Sequence, residues 1–243
     1  MSDPSQIFPS AMFTKDNIRW RYELGGGAMM DAGTYLFSTL RQVFGAEPEE
    51  CVECAATRCP QPYELCDAGA SGSFRFPGGK VGAFRLDLQA GLTQFGLPRV
   101  TVTHRPVAVA DDSLPAGQEK TRTRRLVLNN FMVSGFWHRI DVEDEFVVRD
   151  TETDRVLRRW KTSEAKKIYT WADAGVADQP SEPYWTSYRH MLEQFVNRIR
   201  GREGSGVWVE HEDSIAQAKM IDMAYEKSGL PVRPTSNFVL GGA

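Results

Sequence analysis

An aspartate and a tyrosine four residues apart, Asp31 and Tyr35, follow a run of three glycines, Gly25 to Gly27. On a helix, positions i and i+4 share one face with Cβ atoms about 5–6 Å apart. A carboxylate there can orient a phenol O–H or accept its proton. Tyrosine, with a reference pKa of about 10, then serves as a hydrogen-bond donor or general acid. The same pair has a structural reading: an aspartate near a helix N-terminus stabilises the dipole by about 0.3–1 kcal/mol, and the tyrosine packs. His138 follows Trp137 near the end of a strand-like run. The four histidines include no pair at metal-ligand spacing. The four cysteines, Cys51, Cys54, Cys59 and Cys66, open as C-x-x-C and invite a zinc reading. The segment around them alternates as a strand does, and residues three apart on a strand point to opposite faces. The expectation is that Cys51 and Cys54 cannot share a metal. All four cysteines are then free thiols in a reducing compartment, where disulfides are rare.

The elements that must position these residues follow from periodicity. From Ala28 to Phe44, Met29, Leu36, Leu40, Val43 and Phe44 recur at helical spacing and Gly45 closes the helix. Strand-like segments follow at 51–57, 70–77, 80–89, 98–104, 124–131, 138–143 and 145–150, with 155–160 as a further candidate. Phe76-Pro-Gly-Gly-Lys80 is a hairpin turn between Phe74 and Phe76 on one side and Phe84, Leu86 and Leu88 on the other. Segments 111–120 and 171–183 read as exposed loops, and 1–24 as an N-terminal segment. Tyr188, Leu192, Phe195, Val196 and Ile199 make an apolar helical stripe. In the last helix Asp213 or Ser214 can cap, with Ile215, Ala218 and Tyr225 on the inner side. A helix, a long run of strands and then helices predicts an α+β fold. One large, open, mostly antiparallel sheet carries helices on one face, and residues 1–243 form a single domain.

Composition narrows the partners. Charge nearly balances, at −3 formally, so neither nucleic acid nor an anionic membrane finds the clustered Lys and Arg it selects for. The densest basic spot, Arg122, Arg124 and Arg125, reads as a solvated strand or loop. No stretch approaches the roughly 20 apolar residues of a membrane helix. The polar, acidic N-terminus lacks the features of a secretory signal. A cytoplasmic protein is the expectation.

The run Ile18 to Tyr35, IRWRYELGGGAMMDAGTY, resembles the segment that opens the C-terminal domain in the Gfo/Idh/MocA oxidoreductase family. Within that family it is similar to the dimeric dihydrodiol dehydrogenases and fungal D-xylose dehydrogenases. Asn130-Phe131 with Trp137-His138, the Tyr184-Trp-Thr-Ser-Tyr188 helix start, Trp208 to Gln217 and Tyr225 to Ser236 extend the resemblance over nearly the whole chain in order. It implies that Asp31 and Tyr35 face the substrate as catalytic residues. It also implies that Met12, Phe13, Trp20, Trp137, His138, Tyr184, Trp185 and Tyr188 line or border the substrate pocket.

In that family a Rossmann domain precedes this module and holds the dinucleotide on a glycine-rich turn. Here Gly25-Gly26-Gly27 fails the G-x-G-x-x-G pattern, with Met30 in the sixth position. The family's Glu-Lys-Pro lysine also has no counterpart, since Glu119-Lys120 and Glu226-Lys227 are followed by Thr and Ser. The expectation is a stand-alone substrate domain with no Rossmann domain, no NAD(P) and no metal. It binds a small organic molecule, or transforms it as a cofactor-independent cyclase, isomerase or lyase. A homodimer through the open sheet is expected. The alternatives are the substrate half of a split NAD(P)-dependent oxidoreductase with a separate Rossmann chain, or an inactive remnant acting as a scaffold.

Overall fold

Helix α1 spans Ala28–Phe44 in the computed structural model, the segment its apolar spacing predicts. Gly45, in the left-handed conformation, ends it with its N–H on the Arg41 carbonyl. The structure describes residues 2–9, 17–90, 96–132, 134–176, 179–206 and 208–234. The expected pocket residues Met12 and Phe13 lie outside them. Strand β1 covers Ser2–Pro9, and two short 3₁₀ turns, Ile18–Trp20 and Tyr22–Leu24, precede α1. The strands that follow are β2 (Glu50–Arg58), β3 (Asp67–Phe76), β4 (Lys80–Ala90), β5 (Gly96–Thr103), β6 (Val107–Ala108), β7 (Gln118–Asn129), β8 (Arg139–Asp150) and β9 (Val156–Lys166). Helices α2 (Ser187–Ile199) and α3 (His211–Ser228) complete the order. Antiparallel sheets with a few helices make the fold α+β. Contacts gather into two compact units: Ser5–Gly96 with His211–Ala243, and Leu97–Glu210 with Met1–Pro4.

In the first unit β2, β3 and β4 pair antiparallel, and α1 and α3 pack on them. The hairpin turns where expected, pairing Phe76 with Lys80. Phe74, Phe76, Phe84, Leu86 and Leu88 are all buried. The Phe37 ring meets Phe74 and Phe84 edge-on at 5.3 and 4.9 Å. Each such side chain contributes about 1.5–3 kcal/mol by leaving water. On α3 the buried residues are Met220, Ile221, Ala224 and Tyr225, whereas Ile215 and Ala218 are exposed. The inner face is thus rotated from the expected one. The helix also starts at His211, so Asp213 lies inside its first turn and pairs with Arg41 rather than capping.

Strand β2 overturns the expected separation of its cysteines. Cys51 pairs with Phe74 and Cys54 with Gly72, with a bulge between Cys51 and Glu53. The extra residue shifts the alternation by one. Phe74 and Gly72 share a face of β3, so Cys51 and Cys54 share the face toward α1.

In the second unit β5, β7, β8 and β9 pair antiparallel in that order, with β6 on β7. Segments 138–143 and 145–150, read separately from the sequence, are one strand. The loop expected over 111–120 stops at Gly117, because β7 starts at Gln118. Arg124 makes a two-pronged bond to Asp144 at 2.8 and 2.7 Å, and Arg125 pairs with Glu143. Two of the three arginines of the basic spot are therefore balanced across the ladder. The apolar stripe of α2 is present but outward: Tyr188, Leu192, Phe195 and Ile199 are exposed, and the helix buries only Asn197. No described helix is long and apolar enough to cross a membrane.

Candidate functional site

The start of α1 is occupied from within. Asp67, the first residue of β3, is fully buried and its Oδ2 accepts the Met29 N–H at 2.7 Å. Its Oδ1 accepts the Tyr225 hydroxyl at 2.7 Å. Arg233 donates to that hydroxyl at 3.0 Å and to the Gly26 carbonyl, with its guanidinium over the Tyr22 and Tyr225 rings. Burial pushes the Asp67 carboxyl up, opposed by bonds from Tyr225 and Met29 and by the Arg233 charge. Gly27, at φ 126°, is where only glycine fits: a Cβ there would overlap Asp67, Tyr225 and Arg233. A carboxyl group already sits at this helix N-terminus, and it is the protein's own.

Asp31 and Tyr35 lie one turn apart on α1 as the spacing predicts. Asp31 Oδ2 accepts from Arg19 Nε at 2.5 Å rather than from Tyr35, and Asn17 Oδ1 steadies the same guanidinium at 3.3 Å. Tyr35 is 48% exposed, with no hydrogen bond to its hydroxyl among the described residues. Trp20 is buried in a 3₁₀ turn.

In the second unit a cavity of about 370 Å³ opens between the turn at 134–138, the segment 168–174 and the start of α2. Its walls include His138, Tyr169, Trp171, Trp185 and His190. The segment 169–173, of which 171–173 fall in the stretch expected to be an exposed loop, is knit by Asp173. Its Oδ2 accepts the Tyr169 and Thr170 N–H groups at 3.1 and 2.9 Å, while its own N–H donates to the Thr170 hydroxyl. Gly135 lets the 134–138 turn approach α2: a Cβ there would lie 3.1 Å from Thr186 Cα.

The two histidines of this cavity differ in availability. His138 Nε2 accepts the Ile168 N–H at 2.9 Å, so Nδ1 carries the proton and donates to the Ser134 carbonyl at 2.9 Å. Both nitrogens are committed, and His138 lines the cavity as a structural clamp. His190 has no hydrogen bond to its ring among the described residues. It lies edge-on to Trp171 at 5.9 Å and to Trp185 at 5.2 Å. Burial, with the neighbouring Arg189 charge, lowers its pKa from the ordinary histidine value and so favours the neutral ring. Arg189 itself stacks on Trp185 at 3.9 Å and pairs with Glu193.

Of the aromatics expected here, Trp185 lines the cavity. Tyr184 and Tyr188 point outward, and Trp137 is partly exposed with its carbonyl bonded to Asn130. Sequence reasoning missed Tyr169, Trp171 and His190. The available signal was a histidine five residues beyond Trp185 on the same helix start. Among the described residues no group of three or more His, Cys, Asp or Glu could hold a metal ion.

Residues 5–103 match the GFO/IDH/MocA C-terminal domain. No curated protein matches the sequence. Among solved structures, the aldose-aldose oxidoreductase of Caulobacter crescentus, complexed with glycerol, is 14% identical with a TM-score of 0.57, over 94% of this chain and 52% of its own. A 3-ketoreductase from Actinomadura kijaniata, in complex with NADP and TDP-benzene, is 15% identical with a TM-score of 0.56, over 93% and 53%. An NAD binding oxidoreductase from Klebsiella pneumoniae is 14% identical with a TM-score of 0.57, over 94% and 56%. This chain thus spans about half the length of the structures it resembles. Residues 5–103 thus match the GFO/IDH/MocA C-terminal domain in sequence, and nearly the whole chain resembles part of these oxidoreductase structures in fold.

Proposed function

We propose that this chain binds a small organic molecule of the aldose or keto-sugar class in the cavity around His190 and moves a proton on it. That is chemistry of the isomerase, cyclase or lyase kind. The observation that carries the reading is an imidazole with no hydrogen bond to its ring among the described residues, set edge-on to the indoles of Trp171 and Trp185. Indole faces suit the C–H face of a sugar ring, and Ser134, Thr170 and Ser187 line the same space. A neutral base can take a proton from the carbon beside a carbonyl and return it to the neighbouring carbon, so the atoms balance within one substrate. The sugar class is supported by what the resembling enzymes are named for. Asp31 and Tyr35, in the other unit, are proposed separately as an acid–base and hydrogen-bonding pair, with Asp31 Oδ1 open beside the bond to Arg19.

A second reading, the substrate-binding part of an NAD(P)-dependent oxidoreductase, is favoured by the length relation and by the NADP in one resembling structure. The α1 glycine turn does not fit a dinucleotide pyrophosphate, because Asp67 already takes the Met29 N–H and fills the space beside Gly27. Titration with D-xylose or D-glucose is expected to change tryptophan fluorescence saturably. Turnover in deuterium oxide should place deuterium beside the sugar carbonyl with NADPH absorbance unchanged. A flat titration sinks the sugar assignment, and NADPH consumption by the chain, alone or with a nucleotide-binding partner, establishes the second reading.

The expected homodimer is carried forward as a proposal, using the face of the β2–β4 sheet away from the helices. Arg75 and Arg85 on that face are exposed, and Ala55 and Ser71 are small and exposed. The apolar hairpin residues are all buried, so such an interface is polar. Light scattering is expected to give about twice the 27.3 kDa chain mass; a monomer at micromolar concentration overturns it.

A further inference from the structure

The bulge in β2 does more than turn two cysteines to one side. The β3 partners of Cys51 and Cys54 are two residues apart, which along a strand is roughly 6.6 Å. A disulfide spans Cα separations of about 4.4–6.8 Å. The two thiols perturb each other's titration, Cys51 downward and Cys54 upward. Cys51 Sγ also approaches the Glu53 carbonyl at 3.4 Å, and Cys54 Sγ lies 4.0 Å from Met29 Sδ in the first turn of α1. Gly72, opposite Cys54, brings no side chain between them.

We infer that Cys51 and Cys54 form an oxidisable dithiol, closed to a disulfide by hydroperoxides. The roles within the pair are unequal. The neighbouring Cys54 thiol and the Lys227 charge lower the pKa of Cys51, whereas Cys54 is raised by Cys51 and by burial. Cys51 is the attacking sulfur, since the thiolate is the nucleophile. It takes one oxygen from hydrogen peroxide to give a sulfenic acid and water. The Cys54 sulfur then displaces the hydroxyl from Cys51, forming the S–S bond and releasing a second water. Two thiol hydrogens and two electrons leave the protein, and one peroxide becomes two waters. The bond fixes the bulge where β2 faces α1.

The other two cysteines are a control within the same molecule. Cys59 and Cys66 are joined by a backbone hydrogen bond of 2.9 Å, but burial pushes the Cys59 thiol up to about 12 and raises Cys66 too. Neither has the thiolate character that starts the sequence.

Trypsin separates the pairs, since residues 42–58 carry Cys51 and Cys54 and residues 59–75 carry Cys59 and Cys66. The full chain is treated with one equivalent of hydrogen peroxide, unfolded, alkylated with N-ethylmaleimide and digested. Peptide 42–58 is expected to lose two hydrogens and take up no maleimide, reversibly with dithiothreitol. It should do so roughly tenfold faster than peptide 59–75 changes. In Cys54→Ser, dimedone should trap a sulfenic acid on Cys51. Maleimide on both cysteines of 42–58, equal or faster oxidation of 59–75, or disulfides only between chains would each overturn the inference. The wild-type mapping decides even if the variant misfolds.

Discussion

Asp67→Ala is expected to lower the stability of the chain by about 3–5 kcal/mol, the usual cost of removing one partner from a buried charged network. Alanine leaves the Met29 N–H and the Tyr225 hydroxyl without acceptors, and it strands the Arg233 cation that balances the carboxylate. Each orphaned buried group costs about 1–3 kcal/mol. Tyr225→Phe removes one bond, leaves the Met29 bond intact and is expected to cost about 1–3 kcal/mol. The double variant Asp67→Ala, Tyr225→Phe should cost less than the sum, because both changes break the same contact. Urea unfolding followed by circular dichroism gives all three values. An Asp67→Ala loss below about 1 kcal/mol, or strict additivity, would show that the network does not hold the start of α1.

That network also marks the limit of what the sequence discloses. The helix 28–44 and the hairpin at 76–80 are legible because both signals are local: helical spacing closed by Gly45, and a Pro-Gly-Gly turn between alternating aromatics. The capping of α1 is not local. Its acceptor lies 38 residues away on β3, and no side chain within the turn does the work. Strand faces fail for a related reason. Alternation predicts opposite faces for Cys51 and Cys54, and a single extra residue, set by pairing with β3, reverses the answer. The stripe on α2 is a third case. Its period is correct, yet periodicity identifies a face without saying what covers it, and Tyr188 and Ile199 stay exposed. For the candidate site, the resemblance points to His138 and Trp185, and both line the cavity. It passes over Trp171 and His190, because their meeting depends on Asp173 folding a loop back toward α2.

His190→Asn is expected to reduce turnover of a sugar substrate by 10²- to 10⁴-fold, the range that a positioned acid–base group supplies. Asparagine keeps a polar side chain on the same helix turn but accepts no proton at neutral pH. Binding should change far less, since the indole faces of Trp171 and Trp185 remain; Trp185→Ala should show the converse, weaker sugar binding with a smaller effect on kcat. The pH profile separates a base from a packing residue. The folded-state pKa of His190 lies below the ordinary 6.5, because burial and Arg189 disfavour the imidazolium. The neutral form therefore persists as pH falls through 6.5, and the acidic limb of kcat belongs below that value. His190→Asn should remove that limb as well as lower the plateau. Tyr35→Phe in the same assay is expected to leave both the rate and the limb unmoved, since Tyr35 is not among the residues that line this cavity. If His190→Asn retains more than half of the wild-type rate, the proton transfer does not belong to His190. Should Tyr35→Phe and Asp31→Ala then abolish turnover in folded protein, the acid–base chemistry lies on α1.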